Sequence, residues 1–385
     1  MKKKKVYNVI MIVIDGARID RLNQSEEFTN VISRGTLFSK MITYAPYTLA
    51  SMTATFSGMY GTRNGVDAYS KMFQYKDDVK FLAEYFKDNG WYTRGAAMRL
   101  SLVPERGFSN LTAPDEKKTD YVVAHNKIID DLIIDKNNSE PFFLYLHYPK
   151  IHTSLVKNVF DVYDDFSKEY FDNSEKNMEN YDNYLGEAGI YLKQIFTKLE
   201  SHNLPDNSII IVMADHGMGV GEKIGERAYG VFTYDYSIRS FASFIQKDLF
   251  PEGKIVENLT RTVDIMPTLL EITGIKQDYS FKDMHGTSLM SLLPTASIIS
   301  KIRNHFSGGR TSFSETGGVY GPWPSPSEPN VKCVRTEDWK LIHNLSPDTW
   351  ELYDLKNDPS ENNNLVKSRI DKFRKLASIM KKINS

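Results

Sequence analysis

Apolar positions along this chain fall into short unbroken runs separated by longer stretches of helical period. Val6 to Ile14, Trp91 to Met98, Phe142 to His147 and Ser208 to Ala214 read as strands, the first and last buried on both faces. Between them, Glu27–Ser33, Leu49–Phe56, Val79–Asn89, Asp120–Ile134, Leu185–Ser201 and Asp264–Ile272 carry helical spacing, and Gly58, Gly90 and Gly274 stand where three of these helices should stop. Thr36–Thr43 has strand character, and Thr287–Leu293 reads as a short helical stretch. The polar stretch from Val156 to Leu185 lacks clean periodicity and is read as a solvated helix pair in preference to a mobile excursion.

Strands alternating with helices predict an α/β fold, a mostly parallel central sheet with helices on both faces. From about Ser300 the texture changes to Gly pairs, a Pro-rich loop, two close strands (Lys332–Thr336 and Trp339–Asn344) and a C-terminal helix from about Asn364. The expected division is a catalytic domain over residues 1–300 and a small α+β subdomain over 301–385.

Composition narrows the class only slightly. The 385 residues are 41% hydrophobic and 25% charged, the balance of an ordinary globular chain. A net charge of -1 gives no bulk attraction to nucleic acid or anionic membrane, so no nucleic-acid partner is expected. The single cysteine, Cys333, excludes an internal disulfide and is read as a packing residue. The basic start, Lys2 to Lys5, precedes an apolar run of only six residues that ends in Asp15 without a cleavage site. No segment approaches the ~18 apolar residues of a membrane span, and the expected localisation is cytoplasmic.

Chemistry enters at the strand ends. Asp15 follows the first strand and Asp215-His216 the last predicted strand of the sheet, and in parallel sheets ligands gather beyond the carboxyl ends. Thr48 opens the small-residue helix after Pro46, where it can cap and where backbone N–H groups favour an anion. Two hard oxygen donors, an imidazole and a hydroxyl suit Zn²⁺, Mn²⁺ or another divalent ion with an open position. Such an ion would turn a weak hydroxyl nucleophile into an attacking group.

The ordered motifs Val9 to Gly16, Thr48-Leu49-Ala50-Ser51, Ser57-Gly58-Met59-Tyr60, Asp215-His216-Gly217, Tyr234 to Arg239, Val263 to Leu270 and His285 to Leu289 resemble the sulfatase family of the alkaline phosphatase superfamily. Trp350 to Leu355 and Asp358-Pro359-Ser360-Glu361-Asn362 extend the likeness to nearly the whole chain. The resemblance implies an alkaline-phosphatase-like fold, with Asp15, Asp215 and His216 as metal ligands. It implies Thr48 as nucleophile and further ligand, and His152 as a contact to substrate oxygens. His147 reads instead as a strand-end packing residue.

The departures bear on the reaction. Sulfatases carry Cys or Ser at the nucleophile, converted to formylglycine within Cys/Ser-x-Pro-x-Arg; here the three positions are Thr48, Ala50 and Met52. Oxidising threonine would give a ketone, and threonine here resembles the phosphodiesterases and phosphotransferases of the superfamily. Tyr229 stands where relatives have His or Lys and is read as a hydrogen-bond or proton donor, which favours one metal ion over two. Gly16 replaces a carboxylate frequent in sulfatases, which weakens a Ca²⁺ site. Lys223, Arg227, Arg63 and Asn64 are weaker candidates for substrate contacts, and Tyr320, Trp323 and Trp339 for a substrate mouth.

The expected function is therefore a metal-dependent hydrolase or transferase acting on a phosphoester through a covalent phospho-threonine. Its catalytic set is Thr48, His152 and Tyr229, and its cofactor one divalent ion (Zn, Mn or Ca) at Asp15, Thr48, Asp215 and His216. The alternatives are a sulfuric ester hydrolase and an inactive binding protein of the same fold. A small-molecule, lipid-headgroup or glycan ester is the expected substrate.

Overall fold

The computed structural model describes residues 5–66, 74–135, 140–163, 166–281, 284–293, 310–317 and 330–383. Its main sheet holds β1 (Asn8–Ile14), β2 (Thr36–Ile42), β3 (Tyr92–Ala96), β4 (Asn110–Thr112), β5 (Phe142–Tyr148), β6 (Ser208–Met213), β7 (Arg239–Ile245), β8 (Lys254–Val256) and β9 (Thr260–Arg261). The order is β4-β3-β5-β1-β6-β7-β2-β8, with β9 also paired to β2. Among these strands β7 alone runs against the rest. The mostly parallel, helix-covered sheet expected from the sequence is the fold of this chain.

The middle of the sheet explains its buried runs. Ile10, Ile12 and Ile14 of β1 face one apolar layer with Leu144, Leu146, Ile210 and Val212. Val9, Met11 and Val13 face the other with Phe143, Tyr145, Ile209, Ile211 and Met213. The period of two thus serves both faces, and no polar side is left for solvent.

The helix that opens on the expected nucleophile, Thr48–Ser57, is buried along its whole length and ends at Gly58 in the left-handed region, φ 65°. Its N-cap is Tyr47, so Thr48 is the first helical residue and not the cap expected from the sequence. The polar Val156–Leu185 stretch is helical: Lys150–Tyr163, Lys168–Asp172 and the start of a long helix, Ser174–Ser201. No described helix is long and apolar enough to cross a membrane.

A second, antiparallel sheet contains β10 (Ser312–Thr316), β11 (Val331–Arg335), β12 (Trp339–Asn344) and β13 (Thr349–Asp354), followed by the helix Ile370–Ile383. The expected boundary at 300–301, Tyr320, Trp323 and most of the Pro-rich loop lie outside the described residues. Trp339 packs under Arg369, its ring centre 4.9 Å from that guanidinium, partly buried against an apolar cluster that joins the small sheet to the Thr48–Ser57 helix.

A buried ionic cluster ties this sheet to the main one. Lys340 is fully buried, its Nζ 2.5 Å from Asp235 Oδ1 and 2.9 Å from Glu361 Oε1. Arg335 clasps Asp235 through Nε and Nη2 at 3.1 and 3.0 Å. Burial pushes the Asp235 carboxyl up, but Arg335 and Lys340 outweigh it and hold it far below the usual carboxylate range. That contribution to stability is present above the unfolded pKa of ~4 and is lost as the pH falls from there toward the folded value. Lys340→Met is expected to destabilise the chain by about 3–5 kcal/mol, because two buried carboxylates lose a partner. A denaturant titration that moves by less than ~1 kcal/mol would show the cluster to be replaceable.

Candidate active site and metal centre

Because β5, β1 and β6 are adjacent and parallel, their carboxyl ends deliver Asp15, His147, His152, Asp215 and His216 to one place. Asp15 N–H still donates to Tyr148 O at 3.0 Å, so its side chain emerges at the last rung of the ladder. Gly16 then turns away with φ 76°, and a Cβ there would lie 2.5 Å from Met218 Sδ. Met218 occupies the space that a second carboxylate would need.

Asp15 is completely buried and every neighbour addresses it. Oδ1 accepts from His152 Nδ1 at 2.9 Å, with His216 Nε2 at 3.4 Å. Oδ2 lies 3.1 Å from His147 Nε2 and 3.3 Å from Thr48 Oγ1. Burial raises the Asp15 carboxyl, but the facing histidines, His152 first, outweigh it and hold it well below the usual range. Burial likewise lowers His152, yet the Asp15 carboxylate wins and raises it.

The other groups are set by backbone contacts. Asp215 Oδ1 accepts from Gly16 N at 3.3 Å and His216 N at 2.9 Å. His216 donates Nδ1–H to Gly217 O at 2.8 Å, which leaves the Nε2 lone pair facing Asp15, Asp215 and Thr48. Thr48 Oγ1 is 3.4 Å from that nitrogen. Ser51, one turn along the helix, donates to Asp215 O at 2.7 Å and fixes the helix against the β6 end. That contact was not evident in the sequence, where Ser51 is one more small residue.

Tyr229 comes from the long loop after β6. Its ring centre is 4.3 Å from that of His152 and 5.7 Å from that of His216. Glu226 shapes this loop, its buried carboxylate accepting from Arg227 N at 2.9 Å, Phe232 N at 3.3 Å and Tyr236 Oη at 3.3 Å. Burial pushes the Glu226 carboxyl up to about 7 against the pull of these donors.

The donor set fits a divalent cation. Asp15, His152 and His216 form one group of potential ligands and Asp15, His147 and Asp215 another, with ligand atoms in each group within 4.8 Å of one another. Asp215 Oδ2 is buried without a hydrogen-bond partner, an arrangement that costs free energy unless a cation meets it.

A cavity of about 570 Å³ opens over Thr48, His152 and Tyr229. Arg99, Lys117 and Lys157 stand at its rim with Glu116 and Asp161, beside an apolar wall of Met98, Leu102, Val156 and Phe160. The sequence marks none of these rim residues, since they come from three separate segments. Lys223 is not at this mouth: its Nζ donates to Glu361 O and Asn362 Oδ1. Arg227 lies against the Phe166 ring. Asn64 is buried and braces its loop by donating to Met59 O at 2.9 Å, while Arg63 is exposed. His147, read from the sequence as packing, is hydrogen-bonded within the site.

Comparison with known proteins gives the family and supports the fold. The sulfatase family profile matches residues 7–275, and that of the N-sulphoglucosamine sulphohydrolase C-terminal region matches 230–384. The Delta 4,5-hexuronate-2-O-sulfatase of Bacteroides thetaiotaomicron is 24% identical over 88% of this chain and 78% of its own length. The N-acetylglucosamine-6-O-sulfatase of the same organism is 28% identical over 45% of this chain and only 29% of its own length.

Among solved structures, one described as a putative sulfatase from Bacteroides thetaiotaomicron superposes with TM-score 0.79 at 19% identity, covering 98% of this chain and 92% of that one. The phosphonate monoester hydrolase of Agrobacterium radiobacter superposes with TM-score 0.75 at 15% identity, covering 98% and 96%. These kinships support an ester hydrolase, and they lean toward the sulfuric-ester alternative more than toward the phosphoester expected from Thr48. With a family profile matched over residues 7–275, most of its length, the chain belongs to the sulfatase family.

Proposed function

We propose that this chain is a metal-dependent hydrolase that cleaves a phosphoester of a small molecule or sugar through a covalent phospho-threonine at Thr48. The observation that carries the reading is the placement of Thr48 Oγ1, 3.3 Å from Asp15 Oδ2 and 3.4 Å from His216 Nε2, at the floor of the open cavity. A hydroxyl with a methyl-bearing carbon cannot become the aldehyde hydrate of sulfatases. It can attack directly when its proton is drawn off and its charge stabilised.

Asp15, Asp215, His216 and Thr48 Oγ1 would hold the cation, which when bound supplies Lewis acidity to the hydroxyl and to an oxygen of the transferred group. The chain's own groups do the rest. Thr48, oriented by its hydrogen bond to Asp15 Oδ2, gives up its proton to solvent, and Oγ1 forms a bond to phosphorus as the bond from phosphorus to the alcohol oxygen breaks. His152 and Tyr229, adjacent at the cavity floor, hold the non-bridging oxygens and protonate the departing alcohol. Water then attacks phosphorus, one of its protons restoring the His152–Tyr229 pair, as the bond from phosphorus to Oγ1 breaks and Oγ1 takes up a proton from solvent. Arg99, Lys117 and Lys157 at the rim suit an anionic ester.

Sulfuric ester hydrolysis is the second reading, and the family match together with the names of the relatives favours it. A sugar ester is common to both, since a relative is named for a hexuronate.

Thr48→Ala is expected to lower turnover by at least about 10³-fold, while Thr48→Ser keeps measurable activity. Activity of Thr48→Ala at the wild-type rate would remove the nucleophile. Tyr229→Phe should lower kcat by roughly 10²-fold with KM little changed, as for loss of a proton donor. A panel of aryl phosphate, bis-aryl phosphodiester, aryl phosphonate monoester and aryl sulfate decides the substrate class. Phosphorus esters should dominate kcat/KM, and a dominant sulfate rate would establish the second reading instead.

A further inference from the structure

His147 is a ring in the site to which the family resemblance assigns no role. It closes a column on β5, where Phe143 and Tyr145 face the layer that contains Val13 and the nucleophile helix. The register pairs Val13 with His147, and Asp15 lies two residues beyond Val13, on the same face. An imidazole at the end of that column is fully buried, where phenylalanine or leucine would continue the packing at no desolvation cost.

The ring is held in one orientation. Tyr145 Oη bonds Nδ1 at 2.8 Å, and Nε2 points at Asp15 Oδ2 at 3.1 Å. Its third neighbour is Asp215: ligand atoms of Asp15, His147 and Asp215 lie within 4.8 Å of one another, all from fully buried residues. The Asp215 oxygen left over, Oδ2, has no hydrogen-bond partner. An orphaned buried carboxylate oxygen beside an oriented imidazole nitrogen is the pattern of a ligand pair, not of a packing contact.

Building on the metal-dependent reading of the site, we infer that His147 is a metal ligand through Nε2, so that the cation is a transition ion such as Zn²⁺ or Mn²⁺ and not Ca²⁺. His147 then joins the Asp15 and Asp215 carboxylates, the group whose ligand atoms lie within 4.8 Å of one another, while His216 belongs with Asp15 in the neighbouring group. Calcium takes six to eight oxygens, and this site lacks the extra carboxylate because Met218 fills the space beside Gly16. Imidazole suits the borderline ions. With Nε2 on the cation, the ring carries its proton on Nδ1 and donates it to Tyr145 Oη, which makes Tyr145 a positioning residue for the ligand.

The test measures metal binding without substrate, so its outcome does not depend on which ester Thr48 attacks. Metal-stripped wild type, His147→Asn and Tyr145→Phe are dialysed against Zn²⁺, Mn²⁺ or Ca²⁺ alone, and absorption spectra are taken of the Co²⁺-loaded proteins. Wild type should bind Zn²⁺ and Mn²⁺ at least about 10²-fold more tightly than Ca²⁺. His147→Asn should lose about 10²-fold in Zn²⁺ affinity with Ca²⁺ affinity nearly unchanged, and should alter the Co²⁺ spectrum. Tyr145→Phe, which keeps the ring packing, should lose about tenfold for Zn²⁺ and keep the wild-type spectrum shape. A wild type that prefers Ca²⁺ overturns the inference. So does a His147→Asn that weakens all ions equally and leaves the Co²⁺ spectrum unchanged, the result for a ring that only orients Asp15. Should His147→Asn fail to fold, an unchanged Zn²⁺ affinity in Tyr145→Phe overturns it as well.

Discussion

The Asp15 carboxylate is the group on which the rest of the structure depends. It is buried at the end of the central strand, where desolvation alone would drive it neutral. It stays charged because the His152 N–H and the Thr48 hydroxyl donate to it, with the His147 and His216 rings packed around it. Each of these groups comes from a different element, so the site exists only when β5, β1, β6 and the nucleophile helix are all in register. Coupling a buried charge to the alignment of several elements makes folding and site assembly one event.

The second layer of organisation keeps the loop after β6 in place. That loop must bring Tyr229 to the cavity floor, yet it has little regular structure of its own. Glu226 gathers its backbone N–H groups, and Asp235 at its far end is clamped by Arg335 and Lys340. Glu361 completes the clamp by accepting from Asp235 N at 2.6 Å. The C-terminal sheet thus acts on the site indirectly, by fixing the loop that brings Tyr229 to it. This gives a physical reason for Glu361 within Asp358-Pro359-Ser360-Glu361-Asn362.

The parts legible in the sequence were those with one-to-one signals. Unbroken Val/Ile runs mark β1 and β6 because both faces of a parallel sheet are buried, and Gly58 marks the end of the nucleophile helix. β7 gave no such signal: Ser240 and Ser243 are buried with their hydroxyls on Ala214 O and Ile32 O, and a buried serine looks polar in one dimension. β10 and β13 were equally unmarked, since Glu315 is buried against Tyr44 and half-buried Glu351 bonds Tyr234 and Tyr353. His147 was misread for a related cause. Burial and partner choice are set by the strand beside it, and neither is written at its own position. Lys223 failed in the opposite sense, because proximity in sequence to Asp215 did not bring its ammonium to the cavity.

The central claim is that Asp15, Thr48, Asp215 and His216 converge on one cation. Anomalous diffraction from crystals grown with Mn²⁺ or Zn²⁺, recorded on either side of the metal's absorption edge, tests it directly. The account predicts a strong peak with Asp15, Asp215 and His216 donor atoms at about 2.0–2.2 Å and Thr48 Oγ1 beside it. A metal bound elsewhere, or an empty site among those four residues at saturating ion, would contradict it.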